Sequence, residues 1–72
     1  MASDRDQVLA VHEALDQLAA RDKLGAELIK LRFFAGLSNV KAAQLLDIPE
    51  RTAKRVWAYA RAWLFEELKK KL

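Results

Sequence analysis

The sequence predicts an all-α fold of four helices joined by short turns. Hydrophobic residues make up 53% of the chain, which has only two glycines and one proline, and this composition favours helices over sheet or disorder. Apolar residues recur at three- and four-residue spacings in four successive segments, as they do in amphipathic helices. A length of 72 residues suits one domain, so we expect residues 1–72 to form a single one.

Each of the first three predicted helices has a residue at its start that can accept hydrogen bonds from free backbone N–H groups. Ser3 or Asp4 is expected to cap the first helix, Asp22 the second and Ser38 the third. Gly36 stands where a left-handed C-terminal cap of the second helix belongs. The predicted helices span roughly residues 4–20, 23–35, 39–46 and 50–70.

The spacing of apolar residues also predicts which side of each helix faces the core. The inward residues, in helix order, are Val8, Val11, Leu15 and Leu18; Leu24, Leu28, Leu31 and Phe34, with Ile29 and Phe33 at the edges; Val40, Ala43 and Leu46; and Ala53, Val56, Trp57, Ala60, Leu64 and Leu68. Gly25 lies inside the second helix, where it either permits close packing or is tolerated at a cost of up to about 1 kcal/mol.

Residues 38–60 have the pattern of a helix-turn-helix unit: a short capped helix, a three-residue turn and a longer helix. Pro49 disfavours the helical conformation of Ile48, so the third helix must end before it. Asp47 is one of the few residue types that tolerate a positive φ. We therefore expect a bend at residues 47–49 that turns the start of the last helix outward.

The charges are distributed unevenly along the chain. Residues 1–29 carry six acidic and three basic side chains, whereas residues 51–72 carry seven basic and two acidic ones. A basic second half suggests a polyanion as partner, although a solvated charged face would show the same bias.

The start of the last predicted helix holds the candidate base contacts. Arg51, Lys54 and Arg55 are three and four residues apart and share one side of the helix. In a major groove, arginine pairs with guanine through two hydrogen bonds, and lysine donates to the same atoms or to phosphate. Glu50 can accept from a cytosine amino group or only cap the helix, and Thr52 can bind a phosphate or only its own helix.

Candidate phosphate contacts lie at the start of the third helix, whose free N–H groups attract anions. They are Ser38, Asn39 and Lys41, of which Ser38 can also serve only as a cap. Arg32 and Arg61 are expected either to reach phosphates or to form internal ion pairs.

The sequence excludes several function classes. There is no cysteine, His12 is the only histidine, and no phosphate-binding loop, metal-ligand set or catalytic triad can be assembled, so we expect no enzyme, no metal, no cofactor and no small-molecule substrate. No apolar run could span a bilayer and the N-terminus lacks a signal-peptide pattern, which predicts a cytoplasmic protein without membrane contact.

Trp57 is expected in the core, and Tyr59 and Trp63 either there or facing a protein partner.

Residues 31–64, LRFFAGLSNVKAAQLLDIPERTAKRVWAYARAWL, resemble region 4 of bacterial sigma-70 family sigma factors, and most of all the extracytoplasmic-function (ECF) group. The resemblance extends over about residues 8–68. It implies binding of double-stranded promoter DNA at the minus-35 element, docking on the β-flap of RNA polymerase through an apolar surface, and in many members binding of an anti-sigma factor. Carried over by position, DNA contact falls on Glu50, Arg51, Lys54 and Arg55.

The chain departs from the family pattern at the turn, where Asp47 replaces the usual glycine and Pro49-Glu50 the usual Ser-Pro. There is no room for the domain that melts the minus-10 element, so we expect either an excised domain or a free-standing sigma-like protein. Two alternatives remain open. One is a generic helix-turn-helix regulator, which can act as a dimer. The other is a module that binds polymerase or an anti-sigma factor without DNA, which exposed Phe34, Trp63 and Phe65, or internal ion pairs at Arg51 and Lys54, would favour.

Overall fold

The computed structural model describes residues 4–71, except for the side chains of Asp4 and Lys71. It contains α1 (Asp4–Arg21), α2 (Lys23–Ile29), α3 (Asn39–Leu46) and α4 (Glu50–Lys71), and α2 continues as a π-helical segment, Lys30–Phe34. Within the described range there is no strand, and the predicted all-α fold of four helices is confirmed. The predicted cap of the first helix, by Ser3 or the Asp4 side chain, lies outside the described part of the chain.

The caps of α2 and α3 are those that the sequence predicts. Asp22 precedes α2, and its Oδ1 accepts a hydrogen bond from the backbone N of Gly25 at 2.9 Å. Ser38 precedes α3, and its Oγ accepts from the backbone N of Lys41 at 3.2 Å. Both bonds satisfy an amide that the helix itself leaves unpaired, so each fixes the start of its helix.

Two clusters of buried side chains hold the helices together. The scaffold cluster joins α1, α2 and α4 and consists of Ala14, Leu15, Leu18, Ala26, Ile29, Ala60 and Leu64. The HTH cluster joins α2, α3 and α4 and consists of Leu28, Ala42, Ala43 and Ala53. Trp57 is half-buried and packs against both clusters, as its predicted place in the core suggests.

Gly25 allows α2 and α4 to approach closely. A Cβ atom built on this residue would lie 3.1 Å from the Cβ of Ala60 and would collide with the carboxylate of Asp22. Packing against Ala60 and capping by Asp22 therefore both favour glycine at this position, in agreement with the interpretation that it permits close packing.

The second helix departs from the prediction of one regular α-helix over residues 23–35. From Lys30 onward its backbone is π-helical: the N of Ala35 donates to the carbonyl of Lys30, five residues back, at 3.2 Å. The segment closes when the N of Leu37 donates to the carbonyl of Leu31 at 3.0 Å, with Gly36 at φ +72° as the predicted left-handed residue.

Several predicted inward positions are wrong. Phe34 is 63% exposed because the wider π-helical turn shifts the side chains after Ile29 around the helix axis, while Ile29 itself is buried rather than at an edge. Val8 is 54% exposed because burial in α1 begins only at Ala10. Val40 is 44% exposed because α3 faces the interior through Ala42 and Ala43.

Candidate nucleic-acid interface

The turn between α3 and α4 is built by backbone hydrogen bonds around one left-handed residue. Asp47 has φ 55° and ψ 49°, its N donates to the carbonyl of Gln44 at 3.3 Å, and the N of Ile48 donates to the carbonyl of Ala43 at 3.0 Å. This pair of bonds is the Schellman motif that ends many helices. Ile48 then packs against the HTH cluster, so the predicted bend at residues 47–49 is present.

Alanines set how α4 crosses α3. The N of Ala53 donates to the carbonyl of Pro49 at 3.0 Å, so Pro49 directly precedes α4 and accepts its first helical hydrogen bond. Ala53 is fully buried and belongs to the same cluster as Ala42 and Ala43. Because these side chains end at Cβ, the two helices can lie close together, and the opposite side of α4 faces solvent.

The outward side of α4 carries the predicted base contacts. Glu50, Arg51, Lys54 and Arg55 are exposed, and Thr52 is half-buried. Lys54 Nζ lies 3.4 Å from Glu50 Oε1, with the two side chains 64% and 48% exposed. Among the described residues, Arg51 and Arg55 have no ion-pair partner.

The Glu50–Lys54 pair lies on the surface and not in the interior. Exposed pairs of this kind contribute roughly 0.2–1 kcal/mol, so the pair can open at little cost when a stronger partner arrives. The structure thus leaves the positive edge of α4 accessible. Of the ion pairs at Arg51 and Lys54 that would favour a module without DNA binding, the described residues show only the exposed pair of Lys54 with Glu50.

The candidate phosphate contacts lie together at the start of α3. Ser38 is exposed and caps the helix, Lys41 is exposed, and Asn39 is half-buried. The Oδ1 atom of Asn39 is buried and has no hydrogen-bond partner. These residues stand at the N-terminal end of α3, the opposite end from the turn that leads into α4, and their contact with a nucleic acid stays a prediction.

Arg32 forms no ion pair within the described residues, and its contact with a phosphate stays a prediction. Its Nη1 donates to the carbonyl of Leu37 at 3.2 Å, and its guanidinium lies 4.5 Å from the centre of the Trp57 ring. Phe33 packs against the same ring, with centroids 5.3 Å apart and planes at 44°. The Cζ atom of Arg61 lies 5.0 Å from the ring centre of Phe65. Sequence reasoning missed the Arg32–Trp57 contact, since these residues are far apart in the chain.

A family model described as ECF sigma factor matches residues 1–70 of this chain. The chain belongs to the ECF sigma factor family. Its role therefore lies in transcription initiation, as a regulator that works with RNA polymerase and promoter DNA. Comparisons with curated proteins and with solved structures gave no significant match. None of the helices in the described range is long and apolar enough to cross a membrane.

The ECF sigma factor chain also exposes an apolar groove between α1, the π-helical segment and the second half of α4. A depression of about 340 Å³ is lined by Val11, Ile29, Phe33, Phe34, Leu64, Phe65 and Leu68. A second of about 390 Å³ adjoins it through Val11 and Phe34 and is lined also by Gln7, Val8 and His12. Phe34 is 63% and Phe65 41% exposed, whereas Trp63 is half-buried beneath Arg21.

Among the described residues His12 belongs to no group that could hold a metal ion. It is exposed at the margin of this groove, and the described residues contain no group of three or more side chains suited to a metal ion. Tyr59 is 57% exposed and so does not belong to the core of the ECF sigma factor chain.

Proposed function

We propose that this chain binds the minus-35 element of promoter DNA by inserting the first turns of α4 into the major groove. The observation that carries the proposal is the exposed edge formed by Arg51, Lys54 and Arg55 immediately after the bend. A major groove roughly 12 Å wide accepts one helix, and its floor presents acceptors that arginine and lysine can recognise.

The charge distribution supports this proposal. Arg51 and Arg55 have no intramolecular ion pair within the described residues, so neither has to break one when DNA binds. Lys54 gives up only a surface pair with Glu50, whose carboxylate then becomes free to accept from a cytosine amino group. Thr52, half-buried beside them, is assigned a phosphate contact or a bond within its helix.

Phosphate contacts at the start of α3 would fix the register of α4. Lys41 is exposed and can pair with a phosphate directly. Ser38 and Asn39 lie at the N-terminal end of the same helix, where free N–H groups favour an anion. We assign all three to the DNA backbone rather than to the bases.

The apolar groove is the proposed docking surface for RNA polymerase, through its β-flap, and for an anti-sigma factor. Exposed Phe34 and Phe65 make this surface apolar, and an apolar helix of a partner would cover them. We further propose that residues 1–72 act as one domain in the cytoplasm, without catalysis. The same exposed phenylalanines also favour a second candidate function, a module that binds polymerase or an anti-sigma factor without DNA.

The decisive experiment is selection of bound sequences from random duplex DNA at two salt concentrations, followed by affinity measurement for Arg51→Ala. If Arg51 contacts a base, this variant loses roughly 1–3 kcal/mol on the preferred duplex and less on unrelated DNA. Arg21→Ala is the matched control, because it removes the same charge from a residue that lies over Trp63.

Other results would change the assignment. An equal loss on every duplex would make Arg51 a phosphate contact. Failure of the unaltered chain to select any duplex, together with retained binding to polymerase, would replace the proposal by the protein-interaction module.

A further inference from the structure

We propose that Arg32 is a positioning residue for the helix-turn-helix unit: it holds the turn before α3 and the ring of Trp57 in α4 at the same time. In this way it sets the orientation in which α4 presents its basic edge. The contact itself is independent of any ligand, and only its effect on DNA binding rests on the proposed function.

One end of the Arg32 side chain fixes the chain just before α3. Its Nη1 donates to the carbonyl of Leu37, which lies between the left-handed Gly36 and the cap residue Ser38. Residues 36–38 have no regular structure of their own. A charge-assisted hydrogen bond at this carbonyl therefore restrains the path by which the chain enters the helix-turn-helix unit.

The same guanidinium also contacts α4. It lies 4.5 Å from the centre of the Trp57 ring, and Phe33 packs against that ring at 5.3 Å. Trp57 follows Lys54 by three residues and Ala53 by four, so it belongs to the rigid part of α4 that bears the basic edge. The π-helical segment thus holds α4 through two neighbouring residues.

The two contacts of Arg32 require an arginine at this position. A planar guanidinium can stack on an aromatic ring and donate from its edge together, whereas a lysine ammonium cannot combine the two geometries. Among the described residues Arg32 has no carboxylate partner, and its Nε is buried without a hydrogen bond. A partly buried cation without an ion-pair partner contributes little to the stability of the fold. We therefore infer that Arg32 acts by fixing the relative positions of the turn and α4.

Hydrogen exchange of the free protein tests the contact without DNA. In Arg32→Met, which keeps the length of the side chain, we expect exchange of the protected amides of Leu37, Lys41 and Ala42 to become about fivefold faster, as loss of one hydrogen bond implies. Arg32→Lys should show the same effect. Arg21→Met is the matched control, since it removes the same charge and a similar contact, with Trp63 at 5.4 Å.

Exchange that is unchanged in both Arg32 variants, or raised equally throughout α1 and α4, would overturn the proposal. The lysine variant keeps the test valid if the methionine variant does not fold.

DNA binding then tests the consequence for α4. For Arg32→Met we expect the ratio of affinities for preferred and unrelated duplexes to fall roughly tenfold, the equivalent of one misplaced base contact. The salt dependence should match that of Arg21→Met. An equal loss on both duplexes with a salt slope lower by about one would make Arg32 a phosphate ligand and overturn the proposal. If the unaltered chain binds no DNA, the proposed function fails while the exchange result still decides the contact.

Discussion

The two buried clusters of this small protein use side chains of different size. In the scaffold cluster, four of the seven buried residues are leucine or isoleucine, whereas three of the four in the HTH cluster are alanine. A buried leucine contributes roughly 1.5–3 kcal/mol by leaving water, and an alanine much less. The scaffold cluster therefore supplies stability, and the HTH cluster supplies the close crossing of α3 and α4 that orients the candidate DNA-binding edge.

The largest effect should follow from shortening a side chain in the scaffold cluster. Leu18 is fully buried, and Leu18→Ala should lower the free energy of unfolding by about 2–5 kcal/mol because it removes apolar contact and leaves a cavity. Urea denaturation followed by circular dichroism measures this change. Leu45→Ala, at a residue 67% exposed in α3, should change it by less than about 0.5 kcal/mol. Equal effects of the two variants would show that the scaffold cluster is not the main source of stability.

Enlarging a side chain should be the more damaging change in the HTH cluster. Ala53 is fully buried against α3, and Ala53→Leu should cost about 1–3 kcal/mol through overpacking. It should also abolish discrimination between preferred and unrelated duplexes under conditions where the protein remains folded. Ala62→Leu, on the exposed side of the same helix, is the control. Retained discrimination in the Ala53 variant would show that the crossing of α3 and α4 is not critical.

The smallest effect should come from the cap that begins the helix-turn-helix unit. Ser38→Ala removes the acceptor for the Lys41 amide and should cost about 1 kcal/mol. Ser38→Asp keeps an acceptor and should retain the stability. Thermal unfolding of the two variants measures this difference, since the alanine variant should loosen α3 and leave the scaffold cluster intact. Identical melting temperatures would assign the helix start to other contacts.

Features of the fold whose cause lies within a few residues could be predicted from the sequence. Asp22 and Ser38 cap their helices because a short side-chain oxygen reaches the next free amides, and Asp47 adopts positive φ because Pro49 ends the helix just beyond it. The π-helical segment was not predictable in this way. Its one wider turn fits the same apolar spacing as an α-helix, yet it decides that Phe34 faces solvent.

In the candidate site, too, the features that depend on one helix were predictable and the contacts between helices were not. Exposure of Arg51, Lys54 and Arg55 follows from the amphipathic pattern of α4, because Ala53 on the opposite side must face α3. The contact of Arg32 with Trp57 joins residues on separate helices and depends on the π-helical turn. Periodicity along one helix carries no information on such a pairing. DNA contact by any of these residues remains a prediction.

Phe33 takes part in two surfaces at once. It lines the apolar groove proposed for polymerase, and its ring packs against Trp57 in the helix proposed for DNA. Any occupant that shifts this ring on entering the groove also acts on the helix behind it. Thermodynamic linkage makes such coupling reciprocal. If bound promoter DNA raises the affinity of this chain for polymerase by some factor, bound polymerase raises its affinity for the promoter by the same factor.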